Sequence, residues 1–192
     1  MSENLSNWRP RQKESRWNIL KREVLHRNPW YTYVCDKGIR DDGQPFEYYY
    51  LSIPFAVGVL ALTENNELVL VKQYRYLTSK DSLEVPGGTG GFDETPEEIA
   101  RRELLEETGY SAEQFKRIAT FDVSNGMTND VAHLFLARHA FKQQEPQPEA
   151  SERGMCVELL PVKDVYGMAE AGTIQDSFTL AALLLARKEL HP

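Results

Sequence analysis

Cysteine is nearly missing from this chain of 192 residues: only Cys35 and Cys156 occur, far apart and in apolar stretches. Neither a zinc spacing nor a disulfide framework is on offer, and both read as buried thiols. A basic excess is missing too. With 22 Lys+Arg against 29 Asp+Glu the net charge is -7, which excludes a non-specific nucleic-acid or anionic-membrane binder, since both draw affinity from basic patches. Long apolar runs are absent: the longest, at 55–62 and 180–186, are too short to span a bilayer. The opening MSENLSNWRPRQKESR has no apolar stretch of the secretory kind, so a reducing cytoplasm is the expected compartment. No internal repeat or low-complexity tract occurs.

What remains is ordinary globular material, 41% hydrophobic and 27% charged. A chain of this length buries roughly 70% of its unfolded surface and needs no staple. The expected organisation is a flexible arm over 1–16 and a single domain over 17–192, with 17–52 as an N-terminal β extension. Strand-like runs stand at 31–35, 46–51 and 55–62, the first two separated by the turn signal Asp41-Asp42-Gly43. After a turn at 64–67, residues 68–73 read as a buried strand whose polar neighbours Gln73 and Arg75 point to a site at its end. The clearest helix covers 95–108: Thr95 caps it, Pro96 suits its first turn, Glu98 completes a capping box and Gly109 stops it. Strands at 115–123 and 131–137 follow, broken by Ser124-Asn125-Gly126, then a polar, proline-bearing loop at 142–153. A strand at 156–162 and helices at 162–171 and 176–189 complete the chain.

Within the helix, Glu103, Glu106 and Glu107 stand at i, i+3 and i+4, which puts three carboxylates on one face. Like charges so spaced repel by about 0.2–0.5 kcal/mol per pair, and the negative end of the helix dipole costs each a further 0.3–1 kcal/mol or so. A hard divalent cation would offset this, because Mg²⁺ prefers oxygen ligands, takes one or two protein carboxylates and shares itself with substrate phosphates. The bland alternative is a solvated acidic face with Arg101 and Arg102 as local partners.

The surroundings carry a resemblance. The stretch GTGGFDETPEEIARRELLEETGY from Gly88 is similar to the Nudix box, with Gly88, Glu94, Arg102, Glu103, Leu104, Glu106, Glu107 and Gly109 at its positions and Tyr110 where an aliphatic residue is commoner. Seven fixed Gly, Glu or Arg positions at about 7% frequency each match by chance at roughly one start in 10⁸. Gly87, Gly88, Gly90 and Gly91 let the chain turn tightly and bring backbone close to a diphosphate. Resemblance to the Nudix hydrolases implies an α/β (α+β) fold, a Nudix-type α/β/α sandwich with a mixed sheet and a loop-helix-loop catalytic motif. It implies hydrolysis of a diphosphate linked to another moiety, with Mg²⁺ or Mn²⁺ as cofactor. Carried over by position, Glu103 and Glu107 are the chief metal ligands, Glu106 a further ligand or its neighbour, and the Gly87 carbonyl a backbone ligand. Arg102 and Glu94 orient this set. The general base resembles a loop glutamate ahead of the last strand, Glu152 first and Glu149 second, with Glu145 also on that loop.

The resemblance continues outside the box. Gln73-Tyr74-Arg75, Leu83-Glu84-Val85-Pro86-Gly87-Gly88 and Gly172-Thr173-Ile174-Gln175-Asp176 look like the ADP-ribose pyrophosphatase and nucleoside-diphosphate-sugar branch. It implies that Arg75 binds phosphate, where a planar guanidinium suits bidentate contact, and that Glu84 supports the site or a further metal. A surface ion pair is the alternative for Arg75. Trp30, with Tyr31 and Tyr33, is a stacking candidate for a nucleobase, against a plain core or dimer contact. The branch commonly pairs its N-terminal strands, which implies a homodimer acting on a small nucleotide-sugar substrate. One departure bears on specificity: ADP-ribose hydrolases usually carry a proline beyond the box, and none occurs here between Pro96 and Pro146. The expected activity is therefore cleavage of ADP-ribose or a related nucleoside-diphosphate sugar to a nucleoside monophosphate and a sugar phosphate. Another small nucleotide diphosphatase and a non-catalytic nucleotide-sugar sensor are the alternatives.

Overall fold

A computed structural model describes residues 15–90, 94–148, 152 and 154–190. The expected arm lies outside the described residues as far as residue 14, and so does Glu149. The chain divides into two compact units, Met1–Phe55 with Asp122–Val131, and Ala56–Phe121 with Ala132–Pro192.

The first unit is an antiparallel sheet of β1 (Asn18–Arg27), β2 (Thr32–Ile39) and β3 (Pro45–Ser52), in that order. Gly43, at φ +78°, closes the β2–β3 turn, where Arg40 N–H donates to the Gln44 carbonyl at 2.9 Å. Strand β1 was not anticipated from sequence. Its residues are nearly all exposed, so no alternation marks it, and two register shifts interrupt its pairing with β2. Strand β2 is buried at Val34, Cys35 and Asp36; Arg22 forks onto the Asp36 carboxylate with two bonds of 2.6 Å, which is how a buried charge is tolerated there. The turn after Asp122 is docked on β3, with Leu51 N–H on the Met127 carbonyl and Tyr48 Oη on that of Gly126, both at 2.9 Å.

The second unit is built on a mixed sheet of β4 (Ala56–Thr63), β5 (Glu67–Arg75), β6 (Lys80–Glu84), β7 (Tyr110–Asp122), β8 (Val131–Lys142) and β9 (Cys156–Pro161). The order is β6-β5-β4-β8-β7, with β9 also on β5. Strands β4 and β8 are parallel, while β5 is antiparallel to β4, β6 and β9. Because β9 occupies one edge of β5 from Glu67 to Lys72, β4 and β6 share the other edge, β4 at Leu68 and Val69, β6 from Val71 onward. The chain leaving β6 then runs beside β4: Val59 N–H donates to the Pro86 carbonyl and Val57 N–H to that of Gly88, both at 2.8 Å. This lays the glycine-rich loop across the sheet.

Helix α1 (Pro96–Thr108) packs on β4 and β5; α2 (Val162–Glu170) and α3 (Ser177–Leu190) cover the other face. Leu60, Leu68, Leu70, Leu134 and Leu136 join Val162, Val165, Ala182, Leu183 and Ala186 in one buried cluster. The alternate residues Val59, Val69 and Val71 are equally buried and face α1 with Ile99 and Leu104. The arrangement is the α/β/α sandwich with a mixed sheet expected from the sequence. Two details differ. Cys156 is exposed, since it opens β9 at the rim of the sheet, and Cys35 is the buried thiol. Strand β6 is a five-residue segment too short and polar to show a pattern.

Candidate active site

The site grows out of α1. Thr95 Oγ1 accepts the Glu98 N–H and the Glu98 carboxylate accepts that of Thr95, so the capping box is formed. Gly109, at φ +71°, ends the helix with its N–H on the Leu105 carbonyl at 2.8 Å. Between these stops the helix turns Ile99, Ala100 and Leu104 to the sheet and carries Glu103 and Glu107 inward with them. Glu103 is 9% exposed and Glu107 3%, against the ordinary position of a glutamate at the surface.

The glycine-rich loop meets these carboxylates. Gly87 N–H donates to Glu107 Oε2 at 2.8 Å. A Cβ on Gly88 would stand 2.6 Å from the Glu103 carboxyl carbon, so the absence of a side chain is what lets loop and carboxylate approach. Burial pushes Glu103 up to about 6, with Arg102 opposing and the charges of Glu106 and Glu152 adding. Burial likewise pushes Glu107 up to about 8, against the Gly87 N–H, with Glu103 and Glu152 adding. Arg102 spans three glutamates: Nε lies 3.4 Å from Glu94, Nη2 3.1 Å from Glu103 and Nη1 2.9 Å from Glu106.

Strands β5 and β6 supply a second group. The buried Glu84 accepts Gln73 Nε2 at 3.2 Å, Arg75 Nε at 2.8 Å, and Arg75 Nη2. Arg75 is thus ion-paired, as one reading of the sequence had it, while about half of its side chain stays exposed. The charges of Asp176 and Glu107 act on it as well. Asp176 accepts both Thr179 N–H and its hydroxyl at 2.7 Å, and that hydroxyl accepts Val85 N–H at 2.9 Å, so the start of α3 holds the entrance to the glycine loop. Sequence reasoning missed Thr179; the signal was the Gly-Thr-Ile-Gln-Asp stretch before an apolar helix.

Of the two loop candidates, Glu152 is half-buried and its charge is felt by both Glu103 and Glu107, whereas Glu149 lies outside the described residues. Glu145 is exposed, 3.9 Å from Lys142. Trp30 belongs to the first unit, where it is 74% exposed in the turn between β1 and β2 with its N–H on Asn28 Oδ1.

The donor set fits a hard divalent cation. Two buried carboxylates whose ionised forms are disfavoured, backbone of Gly87 against them and a third carboxylate at the rim are all-oxygen chemistry. Among the described residues no three acidic, His or Cys side chains stand together closely enough to hold a metal ion by themselves.

The NUDIX domain model matches residues 53–182, and the chain belongs to that family. An ADP-ribose pyrophosphatase of Bacillus subtilis is 32% identical over 130 residues, covering 68% of this chain and 70% of that protein. A methanol dehydrogenase activator of Bacillus methanolicus is 37% identical over 142 residues, 74% of this chain and 77% of that protein. A GDP-mannose pyrophosphatase of Yersinia enterocolitica is 28% identical over 133 residues, 66% and 69%. A solved ADP compounds hydrolase shares the fold at 19% identity with a TM-score of 0.79, over 92% of this chain and 95% of that one.

Proposed function

We propose that this chain hydrolyses the diphosphate bond of ADP-ribose or a related nucleoside-diphosphate sugar, releasing a nucleoside monophosphate and a sugar phosphate, with Mg²⁺ or Mn²⁺. The observation that carries the reading is the pair of buried carboxylates, Glu103 and Glu107, pressed against the Gly87-Gly88 backbone. Glu103, Glu107, Glu106 and the Gly87 carbonyl would hold the cation, which supplies charge neutralisation to the diphosphate and acidity to a bound water. Arg102 orients Glu103 and Glu106, and Glu94 braces Arg102. Arg75, set by Glu84, faces phosphate with its exposed side. In this reading Glu152 takes the proton of the attacking water, with Glu149 next in order. Trp30 is the stacking candidate for the base.

The names of the relatives favour two substrates, ADP-ribose and GDP-mannose, over a nucleoside triphosphate. A cytoplasmic homodimer is part of the same reading. Strand β1 is the edge of its sheet and exposes Ile19, Leu20, Val24 and Leu25, a surface that a second copy would cover. The 37% identity to a methanol dehydrogenase activator gives a second reading, in which the chain activates a dehydrogenase.

The test is product release from ADP-ribose, ADP-glucose, GDP-mannose, UDP-glucose, NADH and nucleoside triphosphates, with Mg²⁺ and with chelator, and the effect of the chain on an alcohol dehydrogenase in parallel. Selective, chelator-sensitive cleavage of one sugar nucleotide is expected. Silence from folded, metal-supplied protein would reject the hydrolase reading of substrate, and dehydrogenase activation without any cleavage would replace it with the second.

A further inference from the structure

The C-terminal end of an α-helix leaves carbonyls without partners, and α1 has no basic residue in its last turn while carrying three carboxylates in its second half. Gly109 N–H serves only the Leu105 carbonyl. The carbonyls of Glu106, Thr108 and Gly109 are served by the end of β8 and the chain that follows it. Lys142 Nζ donates to the Thr108 carbonyl at 3.3 Å. Gln143 and Gln144 N–H both reach the Gly109 carbonyl, at 2.9 and 3.1 Å, and Gln147 N–H reaches that of Glu106 at 2.7 Å.

Sequence marks residues 142–153 as a polar loop that bears Pro146 and Pro148. Those prolines lack an N–H and fix their own φ, so the Gln147 amide is the one main-chain donor in Pro146-Gln147-Pro148, and it is spent on α1. Gly109 admits the contact from the other side: a Cβ there would run into the Gln144 carbonyl oxygen. We propose that residues 142–148 are a positioning segment that hangs the Glu152 loop on the end of the helix bearing Glu103 and Glu107. The five chain steps from Gln147 to Glu152 span at most about 18 Å, so pinning the first bounds the reach of the second. A helix and a loop that must bring carboxylates to the same water are thereby referenced directly to one another as well as through the sheet.

This inference rests on the proposed role of Glu152, and the experiment separates the two. Pro146→Gly/Pro148→Gly, and the milder Pro148→Gly alone, are compared with the parent and with Glu152→Gln, singly and combined, for kcat, KM, direct Mn²⁺ titration and amide exchange at Gln147. Expected for the double glycine variant are faster exchange at Gln147, kcat lower by about tenfold, and KM and Mn²⁺ affinity within about twofold of the parent. In the Glu152→Gln background the same glycines should cost nothing further, as groups acting through one another are non-additive. Parent-like kcat despite faster exchange overturns the proposal, and so does an equal loss in both backgrounds. Glu152→Gln at full rate sinks the base assignment instead, an outcome read independently of the glycine variants.

Discussion

At the residue scale, Glu107 concentrates the tension in the molecule. It is the most deeply buried carboxylate of the box and carries one N–H partner, Gly87, so in the metal-free chain its proton is held to about pH 8 instead of the ordinary 4.5. A carboxyl raised in this way binds its proton more tightly folded than unfolded. Its stabilising contribution is full below about pH 4.5 and is lost as pH rises towards 8, with Glu103 losing its share between 4.5 and about 6. Thermal melts of the chelated protein should therefore fall across that window, by an amount on the order of a few kcal/mol, and Mg²⁺ should flatten the slope by binding the ionised forms. Glu107→Gln should remove most of the slope and, by deleting a ligand, lower kcat at least about a hundredfold. A Gln variant that kept full metal-dependent activity, or a parent whose metal-free melts ignored pH, would contradict this account.

At the element scale, α1 is held by different devices at its two ends, and they should fail differently. The Thr95 and Glu98 capping box is exposed and local. Thr95→Ala should cost about 1 kcal/mol and leave turnover near parent, since among the described residues its side chain bonds only to Glu98. Gly109 has φ +71° and sits under the Gln144 carbonyl. Gly109→Ala adds backbone strain to a steric intrusion, so denaturant titration should show a loss of more than about 1 kcal/mol, with turnover falling alongside because residues 142–148 are displaced. Equal stability losses in the two variants would mean that the Gly109 contact is not a constraint.

At the scale of the whole molecule, the exposed apolar residues of β1 are the feature a monomer explains least. Sedimentation at micromolar concentration should give a dimer, and Leu20→Glu with Leu25→Glu, both at exposed positions, should yield a folded monomer. A parent that sediments as a monomer at all concentrations would dismiss this use of β1. The two compact units also bear on how the chain is read: residues 122–131, which sequence assigns to a strand and a turn inside the domain, belong with the N-terminal sheet.

The box spacing, the helix with both its stops, the buried strand running to Arg75 and the three carboxylates on one helix face follow from local rules of periodicity, capping and charge, which act over a few residues and are legible in one dimension. The sequence by itself therefore determined the family, the fold class and which glutamates share one face of α1. The partners chosen across the chain were left to the tertiary structure. Arg75 on Glu84, Val85 on Thr179, the Gly88 backbone against Glu103 and Gln147 on the end of α1 join residues from 9 to 94 positions apart. Their geometry depends on β9 taking one edge of β5 while β4 and β6 divide the other. Strand β1 stayed illegible for the converse reason: with almost every residue exposed it has no buried face, and without a buried face there is no pattern to read.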